Sequence, residues 1–219
     1  LKPKFQSHHV HDILKDVLKE DAELHDSSHD FGKAIIPRMI DKYKVHAYNF
    51  KENEVPGVSG QEMGYWRDVG TIESYFDANM DLIGVSPVFN LYNKEWPIRC
   101  THHDLPPAKF VFAGGGESHR MGTALDSMVA EGCILSGGEV VRSVLFPEVR
   151  VDTFSTVQDS ILMPGVQIGH DVRIKRAIID MGVKVPDNMQ IGFNPAEDRK
   201  KHFVSEMGVV VIPKGTVLG

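Results

Sequence analysis

The segment 65–71, with the sequence YWRDVGT, holds the densest group of side chains that could do chemistry. The rings of Tyr65 and Trp66 could stack on a sugar, and the carboxylate of Asp68 could hold a cation. Carboxylate oxygens are the hard ligands that Mg²⁺ prefers. The same pattern also fits a buried tryptophan beside a surface ion pair of Arg67 and Asp68, so the local sequence leaves both interpretations open.

A second candidate is the segment 27–32, with the sequence SSHDFG. Asp30 could accept hydrogen bonds from sugar hydroxyls while Phe31 packs against the ring. Aspartate is also a preferred helix N-cap, because its side chain accepts hydrogen bonds from the first backbone N–H groups of the helix. This segment is therefore either part of a sugar site or an ordinary helix start.

The second half of the chain contains a repeat that could form a scaffold for such sites. Between residues 134 and 192, aliphatic residues recur every 17 positions in steps of 6, 6 and 5. Four columns repeat together: Val151, Ile168 and Val185; Val157, Ile174 and Ile191; Leu145, Leu162 and Ile179; Val149, Val166 and Val183. An earlier coil, in which 127–129 matches 160–162, is slipped by one residue. Short three-sided coils must stack to bury their aliphatic corners, so the repeat predicts a left-handed parallel β-helix of the hexapeptide type.

The first half of the chain has helical patterns and few strands. Apolar residues at helical spacing predict a helix over 10–19, and a second helix is predicted over 33–42, where Pro37 could interrupt it or confine it to the later part. Alternation predicts a strand over 45–50, and Thr71 is placed to cap a helix that runs through Leu82. A further strand is expected over 109–113, just before the solenoid.

Composition narrows the class of protein. The chain has 219 residues, 42% apolar and 25% charged, with a net charge of −6. An acidic balance argues against a nucleic-acid partner, which needs a basic face. No apolar run reaches the roughly 20 residues that would span a membrane. Two cysteines define no disulfide framework, so a cytoplasmic setting is the simplest expectation.

Read together, the two candidate segments resemble bacterial glucose-1-phosphate adenylyltransferase, also called ADP-glucose pyrophosphorylase. The resemblance begins with SSHDFGKAIIP and YWRDVGTIESYFDANMDL. It continues through SPVFNLYNKEWPIR, LPPAKFVF, SVLFPEVRV, DRKKHF and MGVVVIPKG. These stretches are collinear from about Phe5 to Lys214 and cover nearly the whole chain.

The resemblance implies an enzyme that joins ATP and glucose 1-phosphate to give ADP-glucose and pyrophosphate in glycogen synthesis. It places Asp68 at the catalytic Mg²⁺, Trp66 in the sugar-phosphate pocket, and Asp30 and Phe31 against glucose. Lys214 would match a regulatory cation in the P-K-G tail, although an ordinary solvated lysine is the simpler interpretation. Family members are usually homotetramers, with allosteric effectors bound between the catalytic domain and the solenoid.

The resemblance also predicts the division of the chain. Residues 1–84 would be the end of a Rossmann-like α/β nucleotidyltransferase domain, 85–107 a linker, and 108–219 a left-handed β-helix with regulatory and oligomerisation roles. The family's N-terminal half, with its glycine-rich phosphate loop, has no counterpart here, so we expect the fragment alone to be inactive. The segment 114–121 echoes that loop but is expected to be a linker.

Other features leave the regulation and two alternative functions open. The G-x-Y element expected before Phe5 is replaced by LKPK, which removes other residues of the pocket. Met181 stands where some relatives carry arginine, so the effector class stays undefined. His8, His9 and His11 are expected to be solvated, and the pair 102–103 lacks a partner at a zinc-like spacing. His170 allows a hexapeptide acyltransferase as an alternative, and a non-catalytic oligomerisation and regulatory module is the other.

Overall fold

The structure is a computed structural model that describes residues 7–58, 60–99, 104–111 and 120–219, with only the backbone of residues 7–10. The chain forms two compact units, Leu1–Phe50 and Lys51–Gly219. Several sequence features lie outside the described residues: LKPK at 1–4, Cys100, the histidine pair 102–103, and most of the glycine-rich segment 114–121. No helix in the described ranges is long and apolar enough to cross a membrane.

The helices are α1 (Ser7–Ala22), α2 (Ile36–Lys42), α3 (Ile72–Leu82) and α4 (Pro195–Lys201). A π-helical turn (Phe31–Ile35) precedes α2, and single 3₁₀ turns lie at Phe50–Glu52 and Gly60–Glu62. The strands are β1 (Lys109–Val111), β2 (Thr123–Leu125), β3 (Met128–Val129), β4 (Ile134–Ser136), β5 (Glu139–Val141), β6 (Val144–Leu145), β7 (Arg150–Val151), β8 (Thr156–Gln158), β9 (Ile161–Leu162), β10 (Gln167–Ile168), β11 (Arg173–Lys175), β12 (Ala177–Ile179), β13 (Lys184–Val185), β14 (Gln190–Ile191), β15 (Phe203–Val204) and β16 (Val210–Ile212).

The first unit is helical in its described part. The predicted helix over 10–19 is confirmed within α1, and the second helix is confirmed with its start altered. It begins as the π-helical turn and continues as α2, with Pro37 in the first turn, where its missing N–H needs no partner. The strand predicted over 45–50 is wrong, because the described part of this unit offers no strand for it to pair with.

The second unit contains the predicted solenoid. Its strands form three sheets, in the orders β1-β4-β7-β10-β13, β14-β11-β8-β5-β2 and β15-β16-β12-β9-β6-β3. Consecutive coils pair in parallel, as Ile168 does with the coil before and the coil after. All four predicted columns are buried at their corners. The chain therefore contains a parallel β-helix that matches the left-handed hexapeptide type, as the repeat predicted.

The register corrects the predicted period at its start. Val140 pairs with Val157, 17 residues on, but Leu135 pairs with Val151, 16 residues on. The coil of β4 and β5 is therefore one residue short at the corner that Gly137 and Gly138 form. A Cβ on Gly138 would lie 2.6 Å from Cγ1 of Val151, so only glycine fits there.

A ladder of serines confirms the predicted slipped coil. The Ser127 hydroxyl oxygen accepts a hydrogen bond from the N–H of Ser143 at 3.0 Å. The Ser143 hydroxyl accepts from Ser160 N, and the Ser160 hydroxyl accepts from Ala177 N, both at 3.1 Å. Each of the three hydroxyls also donates to the carbonyl two residues before it. The ladder satisfies polar groups at one corner of successive coils.

Helix α3 packs on the side of the solenoid. Its start is confirmed as predicted: Thr71 Oγ1 accepts from Ser74 N at 3.1 Å, and Ser74 Oγ accepts from Thr71 N at 3.1 Å. Phe76 is 3% exposed and packs against solenoid residues, and the guanidinium of Arg176 lies 5.2 Å from its ring centroid. The solenoid residues in this cluster are Ile161, Ile178 and Val209. Helix α3 is thus held by aliphatic packing and a cation–π contact.

The last segment of the chain closes one end of the stack. Asn194 caps α4 through hydrogen bonds from Ala196 N and Glu197 N, and the carboxylate of Asp198 accepts from Gly192 N, just after β14. Strand β16 pairs in parallel with β12, and β15 then pairs antiparallel with β16. The direction of pairing therefore reverses at this end of the third sheet.

Candidate sugar-phosphate and metal site

The segment 65–71 lies in the second unit, beside α3. The ring of Tyr65 stacks on that of Phe89, with centroids 5.1 Å apart. The guanidinium of Arg67 pairs with the carboxylate of Asp81 near the end of α3, and this contact raises the pKa of Arg67. These two contacts fix the segment, and the cap at Thr71 then leads it into the helix.

The arrangement contradicts the simpler interpretation of this segment. Trp66 is 74% exposed, so it is no buried tryptophan, and Arg67 pairs with Asp81 rather than with Asp68. Asp68 is exposed, and its Oδ1 accepts a hydrogen bond from Gly70 N at 3.1 Å. The Trp66 ring and the Asp68 carboxylate therefore lie at the surface. The charge of Arg67, which stands between them in sequence, is neutralised by Asp81.

One exposed carboxylate is compatible with bound Mg²⁺. This ion usually keeps several waters and takes one or two protein carboxylates together with substrate phosphates. Asp68 supplies such a carboxylate, since only its Oδ1 is engaged and only by a backbone N–H. Within the described residues, no group of three or more histidine, cysteine or acidic side chains could form a closed metal site.

Asp30 and Phe31 lie in the first unit, where the N-cap interpretation is confirmed. Asp30 Oδ1 accepts from Lys33 N at 2.8 Å, and its carbonyl accepts from the next two amides of the turn. Phe31 is 50% exposed. The cap uses one carboxylate oxygen, so Asp30 keeps the other for a hydroxyl, and the sugar role of both residues stays a prediction.

The segment before Asp30 contains a buried polar network that the sequence interpretation missed. Asp21 is 3% exposed and accepts hydrogen bonds from Ser27 Oγ at 2.6 Å, His29 Nδ1 at 2.8 Å and Arg38 Nη2 at 2.7 Å. The bonds from Ser27 and His29 hold the pKa of the Asp21 carboxyl below its ordinary value, with burial opposing them and the charge of Arg38 assisting. One signal was available: Asp21 stands four residues after Val17, on the buried stripe of α1.

Lys214, the predicted regulatory residue, lies at the corner that leaves β16. Its backbone N donates to Asp180 Oδ2 at 3.0 Å, and its exposed ammonium lies 3.9 Å from the sulfur of Met181. The Asp180 charge also faces Tyr75 on α3, whose pKa is raised mainly by burial and further by that charge. The regulatory role of Lys214 stays a prediction, but this corner is close to α3.

His170 and His11 show no catalytic arrangement with other described residues. His170 lies at an exposed corner, and its backbone N donates to Asp187 Oδ1 at 2.8 Å, one coil later. His11 is exposed on α1. The structure therefore gives no observation that favours the acyltransferase alternative over the nucleotidyltransferase.

Comparison with known proteins defines the class first. Residues 8–84 match the family described as "Nucleotidyl transferase", and residues 106–212 match "GlmU-like, C-terminal hexapeptide". The chain thus joins a nucleotidyltransferase segment to a hexapeptide β-helix. The division into 1–84, 85–107 and 108–219 stays a prediction; the two compact units are Leu1–Phe50 and Lys51–Gly219.

Three curated relatives make the comparison more specific, and each is named glucose-1-phosphate adenylyltransferase. The protein from Koribacter versatilis is 50% identical over 204 residues, which are 93% of this chain and 47% of the relative. That from Anaeromyxobacter sp. is 48% identical over 203 residues, 93% of this chain and 49% of the relative. That from Trichlorobacter lovleyi is 51% identical over 187 residues, 84% of this chain and 45% of the relative.

By sequence, therefore, the chain is similar to part of each of these glucose-1-phosphate adenylyltransferases, and the resemblance predicted from its motifs is confirmed. It spans about half the length of the curated relatives it matches.

Proposed function

We propose that this chain is part of an enzyme that joins ATP and glucose 1-phosphate to form ADP-glucose and pyrophosphate, in glycogen synthesis. The observation that supports it best is the 65–71 segment: Trp66 and Asp68, two residues apart in sequence, are both exposed, while Arg67 is paired with Asp81. An exposed aromatic ring and an exposed carboxylate in one short segment suit a sugar phosphate and a metal ion.

In this reaction an oxygen of the sugar phosphate attacks the α-phosphorus of ATP in line. The bond between the α-phosphorus and the oxygen that bridges it to the β-phosphorus then breaks, and pyrophosphate leaves. Mg²⁺, when bound, neutralises the charge that develops on these oxygens. Asp68 would hold that ion through its carboxylate. Trp66 would stack on the sugar, Asp30 would accept hydrogen bonds from sugar hydroxyls, and Phe31 would pack on the ring.

The proposal extends to assembly and regulation. We propose a homotetramer in the cytoplasm, with an anionic allosteric metabolite that contacts the Lys214 ammonium. Two features support the regulatory part: the ammonium is exposed, and its corner shares Asp180 with Tyr75 of α3. Helix α3 begins four residues after Asp68, and this corner and the proposed metal ligand belong to one compact unit.

A coupled pyrophosphate-release assay tests the function. In the complete enzyme that contains this chain, Asp68→Asn should lower turnover about a hundredfold or more, because it weakens charge stabilisation in the transition state. ATP affinity should change far less. Asp104→Asn, at an exposed position with no such role, is the matched control.

Wild-type turnover in the Asp68→Asn enzyme would remove this residue from the metal site. For the 219-residue chain alone we expect no pyrophosphate release. Turnover of an acyl-CoA by that chain would favour the hexapeptide acyltransferase and overturn the proposal.

A further inference from the structure

The Asp21 network is the most deeply buried ionic group in the described part of the first unit, and the proposed chemistry does not use it. A buried carboxylate is unfavourable unless it is hydrogen-bonded and paired with a positive charge. Asp21 meets both conditions, with bonds of 2.6–2.8 Å from Ser27, His29 and Arg38. Such a fully satisfied group fixes the residues that surround it.

The residues fixed by Asp21 bracket the candidate sugar-binding loop. Ser27 Oγ also accepts from the N–H of His29 at 3.2 Å and from Arg38 Nη2 at 2.8 Å, which closes the network on itself. Because a carboxylate can only accept, Nδ1 of His29 must carry the proton that it donates to Asp21. The loop from Ser27 to His29 is therefore tied to the end of α1 and to α2.

The backbone of His29 explains why this tie matters for the next residue. His29 has φ of 52°, in the left-handed region that residues other than glycine seldom adopt. Its ring bond to Asp21 holds that conformation, and Asp30 follows directly in an extended conformation, with φ of −104°. Without the tie, the chain could relax at His29, and the direction of the Asp30 carboxylate and the Phe31 ring would change.

We propose that Asp21 is a positioning residue for sugar-phosphate binding. It acts through His29 and Ser27 to hold Asp30 and Phe31 in the conformation that accepts glucose. This inference rests on the proposed function, since it takes Asp30 and Phe31 as contacts of the glucose ring. The affinity for the sugar would then depend in part on Asp21, a side chain that does not touch the sugar.

The test measures glucose 1-phosphate binding to the full chain by titration calorimetry. Asp21→Asn removes the charge and should weaken binding about tenfold, the loss expected from hydrogen bonds to a charged group. Asp30→Asn should weaken it at least as much. Asp26→Asn, an exposed residue of the same loop, is the matched control and should bind as the wild type does.

A double variant separates a positioning role from a general loss of structure. Because Asp21 is proposed to act through Asp30 as well as Phe31, Asp21→Asn should weaken binding by a much smaller factor in the Asp30→Asn background than in the wild type. Losses that add independently, or wild-type affinity in Asp21→Asn, would overturn the inference. A wild-type chain that does not bind glucose 1-phosphate would overturn the proposed sugar site itself.

Hydrogen exchange keeps the test decisive if the substitution unfolds the unit. In a folded Asp21→Asn chain, the amides of Lys33 and Ala34 should exchange faster while those of α1 stay protected. If α1 also loses protection, Ser27→Ala replaces the first variant, because it removes the three hydrogen bonds of the Ser27 hydroxyl and leaves the pair of Asp21 with Arg38. Its binding should then weaken by a smaller factor, which is again reduced in the Asp30→Asn background.

Discussion

In the solenoid, the main core consists of aliphatic side chains in columns, several of them with no exposure at all. In the described part of the first unit, the fully packed apolar residues are Val17 and Ile35, and a carboxylate is enclosed with them. A repeated column gains the same contact at every coil. The network around Asp21 is not repeated, and its stability comes from three specific partners. The first arrangement suits a support, and the second suits the placement of a particular loop.

The largest expected effect comes from placing a charge inside a column. Ile168→Asp would put an unpaired carboxylate between Val151 and Val185, where it has no partner. The free energy of unfolding should fall by about 4 kcal/mol or more. Gln167→Asp, at the exposed neighbouring position of β10, is the control and should have little effect. Thermal unfolding followed by circular dichroism measures both, and an unchanged melting temperature for Ile168→Asp would show that the column is not the source of stability.

A smaller and more local effect is expected where α3 meets the solenoid. Phe76→Ala removes the side chain that packs on Ile161, Ile178 and Val209. The substitution should lower the stability of this packing by about 3 kcal/mol. Helix α3 and the segment that holds Asp68 should then detach from the solenoid, while the aliphatic columns remain folded. Hydrogen exchange of α3 compared with β9 measures this, with Asp77→Ala on the same helix as control. Equal loss of protection in both elements would mean that α3 is an inseparable part of the solenoid core.

The smallest effect should appear as a difference in acid sensitivity. The pKa of Asp21 is lowered in the folded chain, so its contribution is complete above the ordinary value of 3.8 and is lost as pH falls below it. The buried residue of β10 is Ile168, an aliphatic side chain that does not titrate. As pH falls below 3.8, amides of α1 and α2 should therefore lose protection before those of β10. The Asp21→Asn chain should show a weaker pH dependence in α1, and an identical dependence would contradict the assignment.

Much of the fold could be predicted because the same aliphatic contact recurs at a fixed spacing. The column that contains Ile168 could be predicted from its spacing in the sequence, without knowledge of distant contacts. The start of the period at Ile134 was wrong by one residue because the corner at 137–138 is shortened, and only the paired register shows this. The strand over 45–50 failed for a related reason, since alternation in one segment does not supply a partner strand.

The candidate site was less predictable, because each of its contacts occurs once. The motifs pointed to Trp66 and Asp68 through resemblance, but the partner of Arg67 is 14 residues away and could not be read from the segment. Asp21 meets Ser27 and Arg38 at separations of 6 and 17 residues, which follow no periodic pattern. Such a network becomes visible only when two helices and the loop between them are placed together.

The reversed pairing at the end of the stack has a consequence for solubility. An open edge of parallel strands can template another molecule and grow into a fibre. Here the edge of β16 is already paired with β15. The carboxylate of Asp198 accepts a hydrogen bond from the N–H of Gly192, just after β14. The third edge strand, β13, is two residues long and carries Lys184 outward. A scaffold built to stack coil upon coil therefore ends at this face in a surface that discourages further stacking.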